Sequence, residues 1–138
     1  MYQKAQLEKL SPPSKVLVVS GDGILGEYLT KIISRYLGCE IFIAMNAAEA
    51  LSYLYAGGFD LVLLDLSTQE LCGPLMVRSM QNLSYPVSIL VIADIDSERE
   101  LEEIMNLGIS RVVHKPIKIS ELLEMIAGVF MESQQIYA

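Results

Sequence analysis

Five times along this chain, a short apolar run is followed by a longer segment whose apolar residues recur at helical spacing. The first run, Val16-Leu17-Val18-Val19, precedes a segment from Ile24 to Leu37 in which Leu25, Leu29, Ile32, Ile33, Tyr36 and Leu37 fall on one helical face. The unit repeats with a strand at 40–44 and a helix at 47–55 that Gly57-Gly58 stops, then with a strand at 60–65 and a helix at 73–83. A strand at 87–93 with a helix at 97–107 ended by Gly108, and a strand at 109–114 with a helix at 120–131, complete the series. A half-exposed antiparallel strand alternates polar and apolar residues, whereas these runs are apolar almost throughout. That pattern predicts the α/β class: one doubly wound, five-stranded parallel sheet with helices on both faces.

At 138 residues the chain has room for one domain with a proper core. We place that domain at 15–131. Residues 1–14 read as a tail or linker, with a helix-capable stretch from Tyr2 to Leu10 broken by Ser11-Pro12-Pro13-Ser14. Residues 132–138 read as a polar tail, or as the point where a longer protein was cut. Hydrophobic residues make up 52% of the chain, yet no run approaches the roughly 18 apolar residues of a membrane span. The start, Met1-Tyr2-Gln3-Lys4, has no apolar secretory core, so the cytoplasm is the expected compartment. Cys39 and Cys72 have no paired metal-ligand spacing and are expected to pack as small hydrophobes. The net charge is −7, with six of the seventeen acids between Asp94 and Glu103, which makes nucleic acid a poor partner. That acidic run is expected to be a solvated helix face.

The carboxyl ends of parallel strands share one edge of the sheet, so Asp65, ending the third strand, and Lys115-Pro116, following the fifth, are expected to face one crevice. A carboxylate that accepts a phosphoryl group and an ammonium that pairs with it need this placement. A structural alternative stands beside it: Asp65 as a turn cap, and Lys115 as its permanent ion-pair partner. His114, the only histidine, has no nucleophile or base to work with and is expected to be structural. After the first strand, Gly21-Asp22-Gly23-Ile24-Leu25-Gly26 forms a Gly-x-Gly-x-x-Gly, a dinucleotide-binding pattern in which glycines let the backbone approach a pyrophosphate. The acid needed about twenty residues on, at the end of the second strand, is missing around Ala44-Met45-Asn46, and Asp22 would place negative charge beside the phosphates.

From about Lys15 to Phe130 the chain resembles the receiver domains of two-component response regulators. The residues that carry the likeness are Leu64-Asp65 with Gly73 eight positions on, Asn106-Leu107-Gly108, and Lys115-Pro116. The resemblance implies a flavodoxin-like fold and phosphorylation of Asp65 by a histidine kinase or phosphotransfer protein. It also implies contact of Lys115 with the phosphoryl group and a cis Lys115-Pro116 bond. It makes the domain a phosphoacceptor rather than an enzyme in its own right, with Mg²⁺ as cofactor.

Three positions depart from that family. Its metal-holding acidic pair directly follows the first strand, where this chain has Ser20 and Gly21. Asp22 either takes the place of the second acid, if the loop carries an extra residue, or lies one position beyond it. A weakened Mg²⁺ site would then comprise Asp22, Asp65 and the Ser67 carbonyl. The family's phosphate-sensing hydroxyl, fifteen residues before Gly108, is replaced by Ala93, and its switching aromatic, three before Lys115, by Val112. Signalling is expected through protein contacts of the fourth helix, fifth strand and fifth helix with an output domain or protein. A homodimer through that face would need Arg111 and Lys118 to answer the acids of 94–103. A phosphorylation-independent adaptor and a nucleotide-binding module are the alternatives.

Overall fold

The computed structural model describes residues 14–137, with side chains described as far as Met131. The elements are β1 (Lys15–Val19), α1 (Gly23–Leu37), β2 (Glu40–Ala44), α2 (Ala47–Ala56), β3 (Leu61–Asp65), α3 (Gly73–Gln81), β4 (Ser88–Ala93), α4 (Glu98–Asn106), β5 (Val112–His114) and α5 (Ile119–Tyr137). A single 3₁₀ turn, Ile95–Ser97, leads into α4. The strands form one parallel sheet in the order β2-β1-β3-β4-β5.

Alternation along the strands divides the interior into two layers. Val16, Val18, Leu61, Leu63, Leu90, Ile92 and Val113 face α1 and α5, meeting Leu29, Ile33, Leu122 and Ile126. Leu17, Val19, Val62, Leu64, Val91 and Ala93 face the other way, onto Leu54, Met76, Val77, Met80 and Ile104 of α2, α3 and α4. Truncating any one of the buried leucines to alanine would cost about 2–5 kcal/mol, because close-packed neighbours refill little of the space.

The strand ladder continues past the strand ends at the edge that matters. Ser20 N–H donates to the Ala44 carbonyl at 2.9 Å, Leu66 N–H to Ile92 at 3.0 Å, and Lys115 N–H to Ala93 at 2.8 Å. These bonds fix the positions of Ser20, Asp65 and Lys115 along one rim. The Lys115-Pro116 peptide is cis.

Several element ends shift by one or two residues from the sequence-based expectation, and four differences have a clear physical reason. β5 begins at Val112 rather than 109, since an edge strand is hydrogen-bonded on one side only and its first residues have no register partner on β4. The acidic helix begins with the 3₁₀ turn, which Asp94 caps by accepting from Asp96 N–H and the Ser97 hydroxyl. The backbone of α5 stays helical to Tyr137, so the expected tail at 132–138 is helix over residues 132–137; no proline or glycine occurs there to stop it. Ser14 is buried and its carbonyl accepts from Glu40 N–H at 2.8 Å, which joins it to the sheet rather than to a linker. The helix-capable stretch Tyr2 to Leu10 lies outside the described residues.

Candidate functional site

Asp65 ends β3 with its side chain 1% exposed, on the rim formed by the carboxyl ends of the parallel strands. Buried carboxylates need donors, and this one has four. The Ser20 hydroxyl donates to Oδ2 at 2.8 Å. On Oδ1 converge the Ser67 N–H at 3.1 Å, the Ser67 hydroxyl at 2.7 Å and the Lys115 ammonium at 3.1 Å. Lys115 also donates to the Ser67 hydroxyl oxygen at 2.7 Å, so lysine, serine and aspartate form a closed triangle. Burial opposes ionisation of Asp65, but the bonds from Ser67, Ser20 and Lys115 outweigh it and hold the carboxyl below its ordinary range. Lys115 keeps 26% of its side chain exposed, which leaves the ammonium reachable from outside.

Thr68 ties this site to the neighbouring loop. Its hydroxyl donates to the Asp65 carbonyl at 2.8 Å and accepts from Gly21 N–H at 3.1 Å. A Cβ at position 21 would lie 3.3 Å from the Thr68 methyl, tight enough that Thr68 would have to give way. Asp22 is exposed and acts as the N-cap of α1: its Oδ1 accepts from Ile24 N–H at 3.0 Å and Leu25 N–H at 3.1 Å.

This geometry disposes of the dinucleotide pattern. The amides that would cradle a pyrophosphate already have partners, since Gly21 N–H is bonded to Thr68 and the first turn of α1 to Asp22. Gly26 is buried against Ile43, so its missing side chain serves helix-to-strand packing.

Ala93 is fully buried in the α2–α4 layer and Val112 packs at its margin, so neither position carries a hydroxyl or an aromatic ring to move. His114 is exposed and opposite Ala93 in the β4–β5 register. Cys39 and Cys72 are both free, the first buried, the second exposed before α3. Among the described residues no helix is long and apolar enough to cross a membrane.

Sequence reasoning brought Asp65 and Lys115 together and named the Ser67 carbonyl, but it missed the hydroxyls of Ser20, Ser67 and Thr68. Ser20 offered the only signal: it occupies the first position after β1, where the family's first acid stands.

The model of the response regulator receiver domain matches residues 16–127, and the chain belongs to that family. Among curated relatives, the transcriptional regulatory protein CrdR of Helicobacter pylori is 30% identical over 111 residues, covering 78% of this chain and 51% of CrdR. The aerobic respiration control sensor protein ArcB of Escherichia coli is 29% identical over 118 residues, 83% of this chain and 15% of ArcB. The chain thus spans about half the length of CrdR, and much less of ArcB. A CheY-like receiver domain structure from Methanospirillum hungatei shares the fold with a TM-score of 0.80, at 22% identity, over 88% of this chain and 97% of that one. Residues 16–127 are thus a receiver domain of two-component signalling, a regulatory module.

Receiver domains generally bind Mg²⁺ beside the phosphorylated aspartate. The donors around Asp65 do not fit that ion. Mg²⁺ demands octahedral oxygen coordination and dehydrates reluctantly, so it needs free carboxylate oxygens. Asp65 has both oxygens already hydrogen-bonded, and the nearest acid in sequence to β1 among the described residues, Asp22, turns its Oδ1 to the α1 cap. Among the described residues, no three His, Cys, Asp or Glu side chains are grouped to hold a metal.

Proposed function

We propose that Asp65 is the phosphoacceptor of this receiver, with Lys115 as the cation that meets the incoming phosphoryl group. The observation that carries the reading is the 3.1 Å pairing of a buried carboxylate with a partly exposed ammonium at the carboxyl edge of a parallel sheet. In the transfer, an Asp65 oxygen attacks phosphorus as the bond from phosphorus to the donor's leaving group breaks. Negative charge spreads over the phosphoryl oxygens. Lys115 and the Ser67 hydroxyl are the donors next to Oδ1 that can turn to those oxygens, and Ser20 stands ready on the Oδ2 side. A histidine kinase or phosphotransfer protein is the donor in this reading. An output domain or protein is contacted through α4, β5 and α5, the face that would also serve a homodimer.

Incubation with a small phosphodonor followed by intact-mass spectrometry tests the proposal. One phosphate adduct is expected, absent from Asp65→Asn and slowed in Lys115→Ala. No adduct under saturating donor would sink it and leave a receiver that signals by protein contact alone. The saturated hydrogen bonding of Asp65 favours slow transfer, because at least one donor must leave the carboxylate before an oxygen can attack.

A further inference from the structure

We propose that the acceptor pocket of this receiver is built to work without a divalent cation, with the Lys115 ammonium and the hydroxyls of Ser20 and Ser67 occupying the places around Asp65 that such an ion and its water would need. The proposal rests on reading Asp65 as the acceptor and concerns how that same site is held.

Three independent features of the pocket carry it. The first is charge. Among the described residues, Lys115 is the one ammonium paired with the Asp65 carboxylate, 3.1 Å away, so the pair is neutral as it stands. A divalent cation entering beside it would face a lysine at contact distance with no second acid to compensate, and like charges at such separations repel by several kcal/mol at an effective dielectric near 20. The second is occupancy. Both oxygens of Asp65 are engaged, and the Ser20 hydroxyl reaches Oδ2 at 2.8 Å from the position directly after β1. An ion would have to displace a charge-assisted bond, which is shorter and stronger than a neutral one.

The third is space. Position 21 has no side chain, and the room a longer one would use is closed by Thr68, whose methyl lies 3.3 Å from a Cβ built there and whose hydroxyl is pinned between Gly21 N–H and the Asp65 carbonyl. Ser20, Gly21 and Thr68 therefore form one consistent set. The hydroxyl replaces an acid, the glycine makes way, and the threonine fills the gap.

The test is a titration of the uniformly ¹⁵N-labelled chain with MgCl₂ to tens of millimolar, against a KCl series of equal ionic strength. The expected result is that amides of Ser20, Gly21, Leu66 and Ser67 move no more in MgCl₂ than in KCl. Saturable shifts centred on those amides would overturn the proposal. The double variant Ser20→Asp/Gly21→Asp, checked for folding by its amide spectrum, is expected to gain saturable Mg²⁺-dependent shifts at Leu66 and Ser67. Ser20→Asp alone serves if the double variant does not fold, since residue 20 already faces Asp65. Silence in a folded acid variant would also overturn the proposal, because the hydroxyl set would then not be what closes the pocket. Neither titration uses a phosphodonor, so the outcome is separate from whether Asp65 takes up a phosphoryl group.

Discussion

Asp65 and Glu100 are both carboxylates with an oxygen shut away from water, and they end up on opposite sides of the ordinary carboxyl pKa. Asp65 receives four donors. Glu100, on α4, has an Oε2 that is buried without any hydrogen-bond partner, near the start of α3 where a Cβ on Gly73 would lie 3.1 Å from it. Burial is the largest influence on both. For Glu100 it prevails, reinforced by the nearby Glu103, and the carboxyl is pushed up. For Asp65 the hydroxyls and the lysine reverse it. Burial alone therefore does not decide the protonation of an acid; the supply of donors does.

Crowding at the Glu100 region gives the largest expected effect. A Cβ at Gly73 would lie 2.9 Å from Leu66 Cδ2 and 3.0 Å from Ile104 Cδ1 as well as facing Glu100. Gly73→Ala should lower unfolding free energy by about 1–3 kcal/mol, despite alanine's better helix propensity. Denaturant melts would read this directly, and an unchanged midpoint would mean that α3 and α4 separate easily. Next, Asp65→Ala strands the Ser20, Ser67 and Lys115 donors. The loss should be roughly 2 kcal/mol, moderated because Lys115 can turn to water. A variant more stable than the parent would show that the carboxylate's desolvation outweighs its bonds.

The Glu100 counterpart has the opposite sign. Glu100→Met removes an unpartnered buried oxygen and should raise stability by about 1 kcal/mol, seen as a higher melting temperature. A fall would reveal that the other carboxylate oxygen contributes more than the orphan costs.

Acid titration supplies the smallest and most specific contrast. Glu100 has a folded pKa above its unfolded value near 4.3, so its ionised form detracts from stability at neutral pH. That deficit disappears as pH falls through the folded pKa towards 4.3. The advantage of Glu100→Met over the parent should therefore shrink on mild acidification. Asp65 has a folded pKa below its unfolded value near 3.9, so its contribution is complete above that pH and is lost only as pH falls below it, through the folded pKa. The gap between the parent and Asp65→Ala should hold steady to about pH 4 and close below it. Melting curves across pH for all three proteins test both signs.

Most of the architecture was legible because it depends on period and composition. Val16 to Val19 and Leu61 to Leu64 are apolar without interruption, and only a doubly covered strand accommodates that. Asp65 and Lys115 were legible because parallel strands share a rim. The hydroxyl network was not. A serine carries no pattern, and whether Ser20 points at an acid depends on a register set by Ala44 across the sheet. Asp22 could be given two places in the loop from sequence, and only the α1 cap shows where its carboxylate is spent. Glu100 was hidden among the acids of 94–103, which read as solvated because charge runs usually are. Its orphan oxygen depends on how α4 packs against α3, and no local spacing encodes that.

The Thr68 hydroxyl, held between Gly21 N–H and the Asp65 carbonyl, has a kinetic consequence. It makes one amide a resident clock for the loop after β3. Gly21 N–H can trade its proton with solvent only when Thr68 lets go, so its exchange rate counts the openings of the loop that follows Asp65, whatever drives them. A single backbone proton, far along the chain from Thr68, thus keeps time for the segment that carries Ser67 and Thr68 past the end of β3.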